Sequence, residues 1–157
     1  MRSEASEASA ANLHFALQER NERVGCAESL TGGELATWLS STPGASATFT
    51  GAVVSYASEV KRDVLGVTAE LVVSSECAEQ MATGVRRLLG VDWALSTTGV
   101  AGPDEQEGQA VGTAYVGIAG TQGVRSVRLA LEGDRPEIRR AVCAAAVELL
   151  FEEVTRG

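Results

Sequence analysis

Val24-Gly25-Cys26-Ala27-Glu28-Ser29-Leu30-Thr31-Gly32-Gly33 reads as a short apolar strand, a turn, and the opening of a helix that carries Leu35, Trp38 and Leu39. A hydroxyl where a strand ends stands at a sheet edge, open to a ligand. The two glycines behind it let a ligand approach the backbone. The helix start turns N–H groups toward any nearby anion. Turns of this composition also serve as plain helix caps. A second stretch, Tyr56 through Lys61, is what lifts this one above the ordinary.

Outward from that turn the chain alternates strands and helices. A helical pattern over Ser6–Asn21, with Leu13, Ala16 and Leu17 on one side, precedes a strand at Val24–Ala27. A helix over Gly33–Ser40 ends at Ser41-Thr42-Pro43-Gly44, and an apolar strand follows at Gly51–Ser55, closed by Tyr56. Ser58 reads as the cap of a short helix through Leu65, stopped by Gly66. After a brief segment at Ala69–Val73, a helix over Ser75–Leu89 stacks Ala78, Met81, Ala82, Val85 and Leu89, and Gly90 closes it. Trp93–Thr98 is a third strand, Asp104–Gln109 a polar loop, and Val111–Ala119 with Val124–Leu131 a hairpin about Gly120-Thr121-Gln122-Gly123. The last helix runs over Arg135–Val154, with Asp134 and Glu137 spaced as a capping box and Pro136 in its first turn.

Strands alternating with helices, plus one hairpin, predict an α/β sandwich with a mixed sheet. The exits at Ser29, Tyr56 and Thr98-Gly99 follow βα-type connections and are expected to gather at one sheet edge, where ligands bind. With 157 residues, no internal repeat and no linker, residues 1–157 read as one domain, with 1–7 expected to be disordered.

Composition excludes several classes. No apolar run approaches the ~18 residues of a membrane span, and Met1–Ala11 lacks a secretory signal region, which places the chain in the cytoplasm. A net charge of −8, with basic residues clustered at most in pairs, argues against a nucleic-acid surface. Three scattered cysteines and one histidine, His14, supply neither a metal cluster nor a Ser-His-Asp triad. Neither a metal nor a cofactor is expected.

Lys61 is the only lysine among 13 basic residues. A surface lysine drifts easily to arginine in such a composition. One that stays points to a task arginine cannot do, namely losing its proton. A serine with a neutral lysine forms a nucleophile and base. Tyr56 is placed to relay the proton or orient the amine, and backbone N–H groups near Gly32-Gly33 or Thr98-Gly99 are both candidates for an oxyanion hole. The Tyr-x-x-x-Lys pair of short-chain dehydrogenases does not fit. Tyr56 and Lys61 stand five positions apart, roughly 140° around a helix, and no glycine-rich nucleotide fingerprint opens the first strand. Arg135 and Arg139 at the start of the last helix are candidates to hold a phosphate.

At these residues the chain resembles the CinA C-terminal domain family, the nicotinamide-nucleotide amidohydrolases. The matching motifs are Ala27-Glu28-Ser29-Leu30-Thr31-Gly32-Gly33, Val54-Ser55-Tyr56-Ala57-Ser58-Glu59-Val60-Lys61 with Leu65-Gly66-Val67, Thr98-Gly99-Val100-Ala101-Gly102-Pro103, Val111-Gly112-Thr113 and Gly133-Asp134-Arg135. They run in family order over roughly residues 8 to 154. The resemblance implies a three-layer α/β/α sandwich with a mixed, mostly parallel sheet. It also implies metal-free hydrolysis of nicotinamide mononucleotide to nicotinate mononucleotide and ammonia in pyridine nucleotide recycling. Ser29 is the implied nucleophile, Lys61 the implied base and Tyr56 its helper. Thr31, Gly32, Gly33, Thr98, Gly99, Gly102, Arg135 and Arg139 are the implied substrate contacts.

The implied partner is a small-molecule nucleotide, with no nucleic acid or membrane, and a homo-oligomer is compatible with the reading. The loop Asp104-Glu105-Gln106-Glu107-Gly108-Gln109-Ala110 departs from the family. It is acidic and one residue short, and it lacks the usual lysine and proline before Val111-Gly112. Negative charge beside a phosphorylated ligand is expected to weaken binding. The alternative is therefore a catalytically inactive nucleotide-binding or regulatory relative. The N-terminal domain of larger family members is expected to be absent, together with its activity.

Overall fold

The computed structural model describes residues 4–156. Five strands form one sheet in the order β2-β1-β3-β4-β5: β1 (Val24–Glu28), β2 (Phe49–Val54), β3 (Trp93–Gly99), β4 (Thr113–Gly120) and β5 (Gly123–Ala130). β1 pairs in parallel with β2 and β3, whereas β4 is antiparallel to both its neighbours. Four of the five strands therefore run in one direction, so the sheet is mixed and mostly parallel.

Strand alternation assigns the layers. Val24, Cys26 and Leu95 face a core with α1 (Glu4–Arg20), α2 (Glu34–Ser40) and α5 (Arg135–Thr155). Ala27 and Ala94 face the opposite core, covered by α4 (Ser75–Leu89) and the end of α3 (Ser58–Leu65). Helices on both faces of the sheet make an α/β/α sandwich. Among the described residues no helix is long and apolar enough to cross a membrane.

Helix ends follow the local chemistry in most places. Ser74 Oγ accepts from Cys77 N at the start of α4, a cap of about 1 kcal/mol. Asp134 and Glu137 form the reciprocal capping box of α5. α3 departs from expectation: its N-cap position is Ala57, without a side-chain cap, and Ser58 is already helical. The first helix begins at Glu4, so residues 4–7 are helical where disorder was expected, while residues 1–3 lie outside the described residues. His14, which the sequence left without a partner, is buried and bonds Thr48 Oγ1 through Nδ1 at 2.7 Å.

Candidate active site

The turn after β1 divides its residues between two environments. Glu28 ends the strand on the α2 face, fully buried, and its carboxylate accepts from Leu35 N at 2.8 Å, Ala36 N at 3.0 Å and Thr31 Oγ1 at 2.6 Å. Gly33, at the N-cap of α2, has no side chain to offer, so Glu28 caps the helix from beneath. The next residue, Ser29, comes out at the rim of the sheet. Its N–H donates to Thr97 O at 3.0 Å, extending the β1–β3 pairing by one step.

β2 is continued in the same way. Ser55 N and Ser55 Oγ both donate to Glu28 O, which aims the Ser55 carbonyl toward α3. Lys61 on α3 meets it. The Lys61 side chain is almost completely buried, and its Nζ lies 3.0 Å from Ser29 Oγ, 2.7 Å from Ser55 O and 3.3 Å from Tyr56 O.

A charged ammonium would donate to all three oxygens. A neutral amine satisfies the same geometry: two N–H bonds go to the carbonyls, and the lone pair accepts the Ser29 hydroxyl proton. Burial pushes the Lys61 pKa down from its ordinary value, with Cys77 and Glu107 opposing. Burial also pushes the Cys77 thiol up to about 11, so at neutral pH it is protonated and carries no charge to oppose the shift. Cys26 and Cys143 are buried thiols with raised pKa values, and neither lines the pocket.

Ser29 and Lys61 open into a pocket of about 320 Å³, within the size range of small-ligand sites. Tyr56, Thr98, Gly99, Gly102 and Arg135 line it, which brings the three strand exits together. Thr31, Gly32, Gly33 and Arg139, expected as substrate contacts, are not in its wall. The Thr31 hydroxyl lies between Glu28 and Thr97 Oγ1 and is fully buried. Gly32 and Gly33 have φ of 55° and 105°, and a Cβ on Gly32 would stand 3.0 Å from Arg139 Nη2. The space above Gly32 holds a protein guanidinium, that of Arg139, which donates to Thr31 O at 2.9 Å. Tyr56 approaches Lys61 only through its carbonyl, while its phenol oxygen accepts from Arg135 Nη2 at 2.7 Å.

Of the two backbone regions considered for an oxyanion hole, Gly32 N is already committed to Ser29 O. Leu30, directly after Ser29, lines the pocket, and among the described residues its N–H has no acceptor. The acidic loop divides as well. Glu107 turns inward and accepts from Val72 N at 3.0 Å and Val73 N at 2.8 Å, whereas Asp104 and Glu105 stand in the pocket wall. Sequence reasoning missed Glu28, Ser55 and Glu107. A lone carboxylate closing an otherwise apolar strand is a usable signal for Glu28; the other two depend on tertiary contacts. Among the described residues no group of three or more His, Cys, Asp or Glu side chains is arranged to hold a metal.

Comparison with known proteins fixes the family. The CinA C-terminal domain model matches residues 6–154. The chain belongs to the CinA C-terminal domain family. A CinA-like protein of Frankia casuarinae is 48% identical over 139 residues, which covers 85% of this chain and 32% of that protein. A putative competence-damage inducible protein of Bacillus subtilis is 43% identical over 135 residues, covering 82% of this chain and 32% of that one. The chain thus spans about a third of the length of these relatives. The crystal structure of a CinA superfamily protein from Klebsiella pneumoniae superposes with a TM-score of 0.92 at 30% identity, over 97% of this chain and 99% of that one. That of the competence/damage inducible protein CihA from Agrobacterium tumefaciens gives 0.90 at 30% identity, over 96% of each.

Proposed function

We propose that this CinA-family chain is an amidohydrolase that converts nicotinamide mononucleotide to nicotinate mononucleotide and ammonia, in cytoplasmic pyridine nucleotide recycling. The observation that carries the proposal is the buried Lys61 Nζ, 3.0 Å from Ser29 Oγ and held by two carbonyls. In this reading neutral Lys61 takes the Ser29 hydroxyl proton as Oγ attacks the carboxamide carbon. The oxyanion accepts from backbone N–H groups at the rim, of which Leu30 N is the candidate next to the nucleophile. The C–N bond then breaks, and the leaving nitrogen takes the proton back from Lys61 and departs as ammonia. Water, deprotonated by the same amine, attacks the acyl-serine, releases the acid and restores Ser29.

Asp104 and Glu105 in the pocket wall favour the second reading, a binding or regulatory module without turnover. One assay separates the two. Purified chain is incubated with nicotinamide mononucleotide and ammonia is measured, with Ser29→Ala as control. Release by the native chain and none by the variant is the expected result. Equal background from both would leave only the binding module.

A further inference from the structure

Besides the Tyr56 phenol, the ionisable side chains among the described residues of the pocket wall are Lys61, Asp104, Glu105 and Arg135. Lys61 must be neutral to act as a base, so it contributes no charge to a waiting substrate. Arg135 donates to two uncharged acceptors, Gly102 O and the Tyr56 hydroxyl. Among the described residues neither Asp104 nor Glu105 has a hydrogen-bond or ion-pair partner for its carboxylate, whereas Glu107 is committed to the N–H groups of Val72 and Val73. Glu107 and the Gln109 side chain, which donates to Val73 O, pin the loop from below, and Gln106 and Gln109 pair across its turn. The loop is therefore braced and sets two exposed acidic residues in the pocket wall against one arginine. An excess of one sign of charge at a cleft concentrates ligands of the other sign.

We propose that Asp104 and Glu105 are specificity-determining residues that select a carboxamide carried on a cationic pyridinium ring over the same amide on a neutral ring. The proposal rests on the amidohydrolase reading, which places the carboxamide at Ser29. It turns the acidic loop from a defect in phosphate binding into a device for recognising the charged half of the substrate. Arg135, at the first turn of α5, is the cation left for the phosphate end.

The test uses two probes that lack ribose and phosphate: the 1-methylnicotinamide cation and neutral nicotinamide. Dissociation constants are measured by calorimetry for the native chain, for the Asp104→Asn/Glu105→Gln double variant and for the charge-preserving Asp104→Glu/Glu105→Asp variant. The native chain and the charge-preserving variant should bind the cation about tenfold more tightly than nicotinamide at low salt. That preference should shrink as salt rises. The neutralised variant should lose it, with nicotinamide affinity and unfolding midpoint unchanged. No preference in the native chain, or an equal weakening of both probes in the neutralised variant, would overturn the proposal. A preserved cation preference without ammonia release from the nucleotide would remove the amidase and leave the selectivity; ammonia release without the preference would sink the selectivity alone.

Discussion

The phenol oxygen of Tyr56 accepts a hydrogen bond from Arg135 Nη2 at 2.7 Å, tying the end of β2 to the first turn of α5. The Tyr56 side chain thereby stands in the pocket wall, while its carbonyl accepts from the Lys61 amine. Tyr56→Phe keeps the carbonyl that holds Lys61 and frees Arg135. Losing one exposed hydrogen bond should cost at most about 1 kcal/mol. The expected outcome is a rise of a few-fold in KM for the nucleotide with kcat little changed, measured by steady-state ammonia release. A collapse of kcat would return the hydroxyl to the proton path.

Arg135 and Arg139 were equivalent candidates in the sequence and are not equivalent in the fold. Arg135 lines the pocket, whereas Arg139 bonds Thr31 O and has a buried Nε without a partner among the described residues. Arg135→Ala should raise KM for nicotinamide mononucleotide roughly tenfold, in keeping with a charge-assisted contact to phosphate. The riboside, which has no phosphate, should be unaffected. Arg139→Ala should lower the thermal midpoint and shift KM for both substrates by the same small factor. A phosphate-dependent KM effect in Arg139→Ala would place the anion on the wrong side of the turn.

Glu28 tests the cap beneath the Ser29 turn. Glu28→Ala leaves Leu35 N, Ala36 N and the Thr31 hydroxyl without that carboxylate in a fully buried position. Hydrogen bonds to a charged group contribute about 1.5–3 kcal/mol each, and orphaned donors raise the penalty. The expected loss is about 3 kcal/mol or more in denaturant unfolding. Glu28→Gln, which retains one carbonyl acceptor, should lie between the two. A variant as stable as the native chain would show that α2 needs no cap from the strand.

What the sequence made legible follows from local rules. α4 spans Ser75–Leu89 as its apolar spacing predicts, and the Asp134–Glu137 box starts α5 where expected, because periodicity and capping are written in neighbouring residues. The meeting of Ser29 and Lys61 was legible for a different reason: both follow strand exits that topology sends to one edge. Thr31 and Arg139 stand outside the pocket wall because each is held elsewhere: the Thr31 hydroxyl turns inward to Glu28, three residues back, and Arg139 bonds the carbonyl of Thr31, 108 residues away. Glu107 entered the sequence reading only as part of an acidic loop, and nothing local announces that its carboxylate is a staple for Val72 and Val73.

The Lys61–Ser29 contact yields the sharpest expectation. Lys61 is 1% exposed, so Lys61→Arg forces a larger and permanently charged group into a closed space, and stability should fall. Lys61→Met keeps the length without the charge, although the carbonyls of Ser55 and Tyr56 lose their donor. Neither variant can accept the Ser29 proton, so both should lose turnover by several powers of ten while still folding, as checked by circular dichroism. Ser29→Ala should lose as much, and Ser29→Ala/Lys61→Met hardly more, because the two groups act as one unit.

The pH dependence has a definite sign. In the proposed mechanism the neutral amine is the working form, and burial lowers its pKa, so kcat/KM should rise with pH along a limb centred below the ordinary 10.5. Stability should move the same way. Between the folded value and 10.5 the unfolded chain binds more protons at this residue, so the native chain gains stability as pH rises through that window. Lys61→Met removes the titrating group and should flatten both curves together. A folded Lys61→Met protein that keeps near-native turnover and the same rising limb would take the base away from Lys61, leaving a buried amine that does no more than hold two carbonyls and a serine in place.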